Sequence, residues 1–170
     1  TLHRVHLLEV EDGQRAIVAG PLKGRGSTEA RNWSDAALPV LAYRIPKDPV
    51  NDKWEPLLLD ESMPVMHNFW PYGPEPEPPA IPPASYEGLS RWQRPQKGGK
   101  AVLRHIGAGN QDNPKGSRGS SEVKPGKFAA DRPFIATIEP FHGNQVVVSS
   151  PAPGGAALWD RAVIDATLQV

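Results

Sequence analysis

The chain has 170 residues, no cysteine, and 19 acidic against 19 basic side chains. A formal net charge of zero supplies no field toward nucleic acid or an anionic membrane, so neither is an expected partner. The lack of cysteine excludes disulfides and thiolate chemistry but leaves the compartment unknown. No apolar stretch approaches the ~20 residues of a membrane span. We expect a soluble chain without a transmembrane segment or signal peptide in this stretch.

Short β-rich runs separated by the 20 prolines and 16 glycines predict many antiparallel strands joined by turns. The first four strands are predicted at 2–10, 15–20, 39–45 and 54–60. The next four are predicted at 65–70, 84–87, 89–92 and 101–106. The last four are predicted at 121–124, 134–138, 145–149 and 158–165. No segment shows a helical period over three turns, so the expected class is all-β.

This four-strand unit occurs three times, and repeats of this length are typical of propeller blades. We predict a partial β-propeller over residues 1–170, with approximate blades at 1–62, 63–106 and 107–170. Propellers usually need ~4–8 blades to close a ring. The expected partner is therefore either the rest of a larger propeller or a second copy that closes the ring.

Strand order assigns the chemistry-bearing residues to one face of such a propeller. Loops from the second to the third strand, and from the fourth strand to the next blade, emerge together on that face. The Pro-rich loop 72–83 and the loop 151–155 emerge on the other. Four of the five histidines fall on or near the first face. Each single histidine also has a structural reading, which we favour for His6 and leave open for His105.

The polar face predicts a binding or catalytic site, since loops on a rigid scaffold commonly carry function. His67, His142 and Glu139 are the candidate catalytic residues, because an imidazole with a nearby carboxylate can move a carbon-bound proton. A divalent metal, zinc or magnesium, is a further candidate because histidines from different blades can converge on one ion. The candidate metal ligands are His3, His67 and His142. The candidate substrate-binding residues are Arg4, Asn68, Trp70, Arg118 and Asn144.

Two glycine-containing stretches do not favour nucleotide binding. Lys23-Gly24-Arg25-Gly26 is not followed by a helix start, and Gly107-Ala108-Gly109 lacks a strand-to-helix context. Asn32-Trp33-Ser34-Asp35 is either an Asx turn with a packed tryptophan or part of a ligand site, where Trp33 or Trp70 offers a stacking face.

Four stretches resemble the seven-bladed propeller part of fungal aldos-2-ulose dehydratases (pyranosone dehydratases) and related FG-GAP/VCBS-type propellers. They are Met66-His67-Asn68-Phe69-Trp70-Pro71, His105-Ile106-Gly107-Ala108-Gly109-Asn110-Gln111, residues 115–122 and residues 134–148. The resemblance covers about three blades and implies a lyase that removes water from keto-sugars, with metals taking part. The aspartate-rich calcium loop of such repeats is reduced here to Glu11-Asp12-Gly13, so we do not expect calcium there.

Two functions remain open on this sequence. The first is a carbohydrate-directed carbon–oxygen lyase or dehydratase, which eliminates water or a sugar leaving group after proton abstraction next to a carbonyl or carboxylate. The second is a non-catalytic propeller module that binds a glycan or a protein through the same face. Both need a polar mouth with aromatic walls, and the sequence alone does not separate them.

Overall fold

A computed structural model describes residues 2–9, 14–71, 82–93 and 102–168. The turn Glu11–Gly13 and most of the Pro-rich loop 72–83 lie outside these ranges. The described chain forms three four-stranded antiparallel sheets, and within each sheet neighbours in space are neighbours in sequence. No α-helix occurs in these ranges, so the predicted all-β class of blade-like sheets is confirmed. None of the helical turns described here is long and apolar enough to cross a membrane.

The strands follow the predicted order. Sheet one contains β1 (Leu2–Glu9), β2 (Arg15–Pro21), β3 (Val40–Arg44) and β4 (Pro56–Asp60). Sheet two contains β5 (Met66–Phe69), β6 (Pro83–Ser85), β7 (Gly88–Gln93) and β8 (Val102–Gly107). Sheet three contains β9 (Val123–Lys127), β10 (Pro133–Glu139), β11 (Gln145–Ser150) and β12 (Asp160–Asp165).

Burial alternates along the two middle strands of each outer sheet. On β2, Ala16 and Val18 are buried while Ile17 and Ala19 are half-buried, and β10 and β11 repeat this period of two. Successive side chains of a strand point to opposite faces, so only one face of each outer sheet is buried. By contrast, β5 and β6 are buried at every position. Sheet two therefore lies between the other two.

Two apolar cores lie between the sheets, and a third, smaller cluster of Val65, Tyr86 and Phe141 lies beside them. The first joins Val18 and Val40 of sheet one to Phe69 and Trp92 of sheet two. The second joins Ala84, Leu89 and Ile106 of sheet two to Val123 and Ile135 of sheet three. Full burial of a side chain the size of Phe69 contributes roughly 1.5–3 kcal/mol.

The first strand of each sheet lies toward a common region. β1 contacts β5 directly, and side chains of both bond to Glu122, the residue before β9. The three sheets form an arc that is not closed into a ring. This radial arrangement places the beginnings of β1, β5 and β9 close together.

Candidate functional site

A carboxylate links the three first strands. Glu122 accepts a hydrogen bond from Arg4 Nη2 at 2.9 Å through Oε1, and one from Asn68 Nδ2 at 2.6 Å through Oε2. Arg4 lies on β1, Asn68 lies on β5, and Glu122 directly precedes β9. Arg4 and Glu122 carry opposite charges. We call Arg4, Asn68 and Glu122 the junction. Its charge-assisted hydrogen bonds fix the first strands relative to one another.

Three histidines surround this junction. The ring centroid of His67 lies 4.9 Å from that of His3 and 4.5 Å from that of His142. Its Nδ1 lies 3.5 Å from Glu122 Oε1 and makes no hydrogen bond within the described part of the chain. Each imidazole is supplied by a different sheet or by a turn adjoining it. We call His3, His67 and His142 the histidine cluster.

Burial controls the charge of the central member. His67 is 8 % exposed, and this burial, followed by the nearby His142 and His3, lowers its pKa from 6.5 to about 4 despite the opposing effect of Glu122. The pKa of His3 is also lowered, mainly by burial and then by the Arg4 charge. His67 is therefore a neutral imidazole at neutral pH.

The turn between β10 and β11 positions His142. Phe141 is buried and packs edge-on against Tyr86 and His67, with centroid distances of 5.0 and 5.1 Å. The Ser117 hydroxyl donates a hydrogen bond to the Phe141 carbonyl. With Phe141 fixed in this way, the next residue, His142, remains exposed at the surface.

His142 lines a cleft of about 480 Å³. Its aromatic walls are Trp33, Tyr86 and Phe141, and its polar groups include Lys23 and Asn32. Lys23 Nζ lies 2.8 Å from the centroid of the Trp33 ring, a cation–π contact. The β2–β3 loop supplies one wall of the cleft, and the other lining residues come from the chain before β5, the β6–β7 turn, the β8–β9 loop and the β10–β11 turn. The cleft opens beside the histidine cluster.

Strained backbone is concentrated at this cleft. Asn32, Trp33 and His142 adopt φ angles of 49°, 59° and 56°, and all three line the cleft. Non-glycine residues with positive φ are uncommon, and a tryptophan in this region is a true outlier. Such strain persists where surrounding contacts impose it, and it gathers at functional sites. The Asn32 amide is held by a hydrogen bond to the Gly116 carbonyl at 2.7 Å.

The structure brings five of the nine predicted site residues together. His3, Arg4, His67, Asn68 and His142 come together at the junction and histidine cluster. Arg118 lies beside the cleft, with its guanidinium carbon 4.6 Å from the Tyr86 ring centroid.

The other predicted residues have different surroundings. Glu139 is buried and accepts hydrogen bonds from Thr137 and Arg161, at 3.0 and 2.8 Å. Asn144 donates to the Ala166 carbonyl at 3.3 Å. Trp70 is covered by Lys124 Nζ, 3.5 Å from its ring centroid. None of the hydrogen bonds found among the described residues joins these three to a histidine of the cluster.

Several cleft and junction residues were not predicted as site residues. Glu122 precedes β9, a strand with a weak apolar pattern. However, β9 is the first strand of its sheet, as are β1 and β5, which carry Arg4 and Asn68. That equivalence between repeats is the signal that identifies it. Tyr86 lies at a tight turn and Lys23 in a long loop, where strand periodicity carries no information.

The arrangement does not fit a metal ion. Within the described residues, no group of three His, Cys, Asp or Glu side chains converges as a metal site would require. Glu122, the carboxylate nearest to His67, is already engaged by the Arg4 guanidinium and the Asn68 amide. We therefore derive no chemical step through a metal.

Comparison with known protein families and with curated proteins finds no match for this chain.

Proposed function

We propose that this chain binds a carbohydrate in the cleft and is part of a lyase that eliminates water or a sugar leaving group from it. The observation that carries the proposal is an aromatic-walled cleft that reaches the exposed imidazole of His142, with the neutral imidazole of His67 directly behind it. The same chemistry is what resemblance to the aldos-2-ulose dehydratases implies.

The cleft has the properties of a sugar site. Its volume of about 480 Å³ falls within the range of small-molecule pockets, and such pockets combine apolar walls with a few placed polar groups. The rings of Trp33, Tyr86 and Phe141 supply an apolar wall against which the C–H groups of a pyranose can pack. Lys23 and Asn32 supply hydrogen-bonding groups for its hydroxyls.

In the proposed elimination, an imidazole nitrogen of His142 removes the proton from the carbon next to a carbonyl. The electron pair of that C–H bond first forms an enolate, with negative charge on the carbonyl oxygen. It then forms the new C=C bond as the C–O bond on the neighbouring carbon breaks, and the leaving oxygen takes a proton from the His142 imidazolium, which restores the imidazole. The Lys23 ammonium, on the cleft wall, offsets the negative charge that develops on the carbonyl oxygen.

The second candidate is binding without chemistry. It is favoured by the two hydrogen bonds of the junction: Glu122 accepts from both Arg4 and Asn68, so these polar groups stabilise the fold without any substrate. In this reading, His142 contacts the ligand only, and the aromatic walls supply the affinity.

Binding and turnover, measured separately, distinguish the two candidates. Calorimetry with keto-sugars and uronic-acid glycans reports binding, and ultraviolet absorbance of an enone reports elimination. We expect His142→Ala to abolish the absorbance change and Trp33→Ala to weaken binding. The control is His105→Ala, since His105 is an exposed residue of β8 outside the cleft.

The outcomes are distinct. Enone formation that His142→Ala leaves unchanged would contradict the assignment of the base. Binding without any enone would favour the second candidate. No binding by any sugar would contradict the lyase and the glycan-binding module, and would leave a protein as the ligand of the second candidate.

A further inference from the structure

The charged groups at the cleft are all basic in the part of the chain that the structure describes. Neither aspartate nor glutamate is among the residues that line the cleft, whereas Lys23 and His142 are. The Lys23 ammonium lies over the Trp33 ring and makes no ion pair with a carboxylate of the described residues. A concave site lined by one sign of charge attracts a ligand of the opposite sign.

A second cation, Arg118, lies beside the cleft. Its guanidinium carbon is 4.6 Å from the centroid of the Tyr86 ring, and its Nη1 donates a hydrogen bond to the Pro114 carbonyl at 3.0 Å. The residue is half-buried. A guanidinium has five N–H donors in one plane and no acceptor, and the hydrogen bond to Pro114 uses one of them. The group therefore retains donors for a ligand.

Two other arginines show what binds such a group in this fold. Arg4 pairs with Glu122 at 2.9 Å, and Arg161 pairs with Glu139 at 2.7 Å. The planar guanidinium matches the geometry of a carboxylate, which can accept two parallel hydrogen bonds from it. Among the described residues, no side-chain carboxylate pairs with Arg118 in this way. A ligand in the neighbouring cleft can supply that carboxylate.

The two cations lie on adjoining walls of the cleft. Lys23 lies over the ring of Trp33, and Arg118 lies over the ring of Tyr86. The Tyr86 hydroxyl donates a hydrogen bond to Asn32 Oδ1 at 3.4 Å, and Asn32 directly precedes Trp33. The two aromatic walls therefore meet, and each of them holds one positive charge.

We infer that the sugar bound in the cleft is a uronate, and that its carboxylate binds the Arg118 guanidinium. This inference rests on the proposed function and names its substrate class. A uronate supplies the negative charge that the two walls lack, whereas the neutral keto-sugar implied by the resemblance leaves both cations without a counter-charge. Hydrogen bonds between charged partners are roughly twice as strong as those between neutral ones.

The carboxylate also determines which carbon reacts. The carbon that bears it loses its proton to the His142 imidazole, and the electron pair of that C–H bond becomes a C=C bond to the next carbon. The C–O bond on that next carbon breaks, and the leaving oxygen takes the proton from the imidazolium. Removal of the proton places a second negative charge on the carboxylate group. Lys23 and Arg118 offset this charge.

Calorimetry with matched oligosaccharides tests the inference. The probes are short oligomers of glucuronic, galacturonic and mannuronic acid, each beside the same oligomer with its carboxylates reduced to primary alcohols. We expect at least one acidic oligomer to bind about tenfold more tightly than its reduced form, the effect of one charge-assisted hydrogen bond.

Substitutions at Arg118 locate the carboxylate. Arg118→Gln removes the charge but retains a hydrogen-bonding amide, so it should abolish the preference for the acidic oligomer and leave binding of the reduced form unchanged. Arg118→Lys retains the charge without the planar fork and should restore part of the preference. The matched control is Arg104→Gln, since Arg104 is an exposed residue of β8 that does not line the cleft. It should bind both forms as the unmodified chain does.

Equal affinities for the acidic and reduced oligomers would overturn the inference and leave sugar binding in place. Arg118→Gln that retains the preference, or that weakens both forms equally, would also overturn it. Absence of binding by every acidic and reduced oligomer would overturn the proposed function together with the inference, so the two failures are distinct. If circular dichroism shows that Arg118→Gln is unfolded, Arg118→Lys decides, and it should weaken binding of the acidic form alone.

Discussion

The junction and the cleft lie on either side of the histidine cluster and differ in how their polar groups are satisfied. In the junction, Glu122 has partners from two other sheets. In the cleft, the exposed His142 has a strained backbone, with φ of 56°. Hydrogen bonds between the sheets hold them together, whereas exposed and strained groups are available to a ligand. We therefore expect substitutions in the junction to change stability and substitutions in the cleft to change binding.

The largest effect is expected for Glu122→Ala. It leaves the Arg4 guanidinium and the Asn68 amide without their carboxylate, and a half-buried charge without a partner is costly. We expect the free energy of unfolding to fall by about 3 kcal/mol, measured by urea denaturation. The matched control is Glu55→Ala. Glu55 pairs with Lys53 at 2.9 Å on the exposed surface, so its loss should cost less than about 1 kcal/mol.

A comparable loss from both variants would mean that the junction does not link the sheets. A fall in sugar affinity as large as the fall in stability would remove the distinction between the two regions.

Acidification tests the buried histidine. Burial lowers the pKa of His67 from its ordinary value of 6.5 to about 4 in the folded chain, so the unfolded state binds more protons between these pH values. Above pH ~6.5 the imidazole is neutral in both states and does not destabilise the fold. As the pH falls toward ~4, mainly the unfolded state gains the proton, so the free energy of unfolding decreases. From pH 7 to pH 4.5 this loss is about 2.5 kcal/mol.

Urea denaturation at both pH values, compared with that of His67→Gln, isolates this contribution, because glutamine does not titrate. The difference in stability between the two proteins should change by about that amount across the range. An unchanged difference would show that His67 is not held neutral by burial.

Sequence reasoning predicted the strands and the meeting of His3 with His67, because both depend on local patterns. Alternating apolar residues define a strand, and strand order fixes which ends share a face. It did not predict the surroundings of Glu139. This residue lies on the covered face of β10 with Thr137, and its partner Arg161 comes from β12. The periodicity along β10 gives no information about a side chain on β12, because β11 lies between the two strands.

The cleft was the least predictable part. Trp33 reaches it from the long loop between β2 and β3, whose path depends on the hydrogen bond from Asn32 to Gly116, 84 residues away. Strand order assigns this loop to the same face as His67, but local sequence patterns do not predict the long-range contact that brings Trp33 into the cleft with His142.

On the cleft side, Trp33→Ala should weaken sugar binding about tenfold, or about 1.4 kcal/mol. The substitution removes a stacking face and also the surface beneath Lys23. Calorimetry with the sugar that binds best measures the change. Trp54→Ala is the control, since Trp54 bonds the Pro49 carbonyl in the β3–β4 loop, away from the cleft. Equal affinities of the two variants would place the sugar elsewhere.

The smallest effect, Lys23→Met, separates the charge from the packing at the same wall. Methionine keeps an unbranched apolar side chain over the Trp33 ring but removes the ammonium that lies 2.8 Å from its centroid. A partly exposed cation–π contact is worth about 0.5–1 kcal/mol, so stability should change little. If the ammonium donates to a hydroxyl, affinity should fall about threefold, the effect of one modest hydrogen bond.

In a lyase, Lys23→Met should lower turnover more than affinity, because charge develops on the carbonyl oxygen only as the proton leaves. Lys47→Met, an exposed loop variant, controls for the change in net charge. Equal losses in turnover and affinity would assign Lys23 to binding alone, and so would favour the module without chemistry.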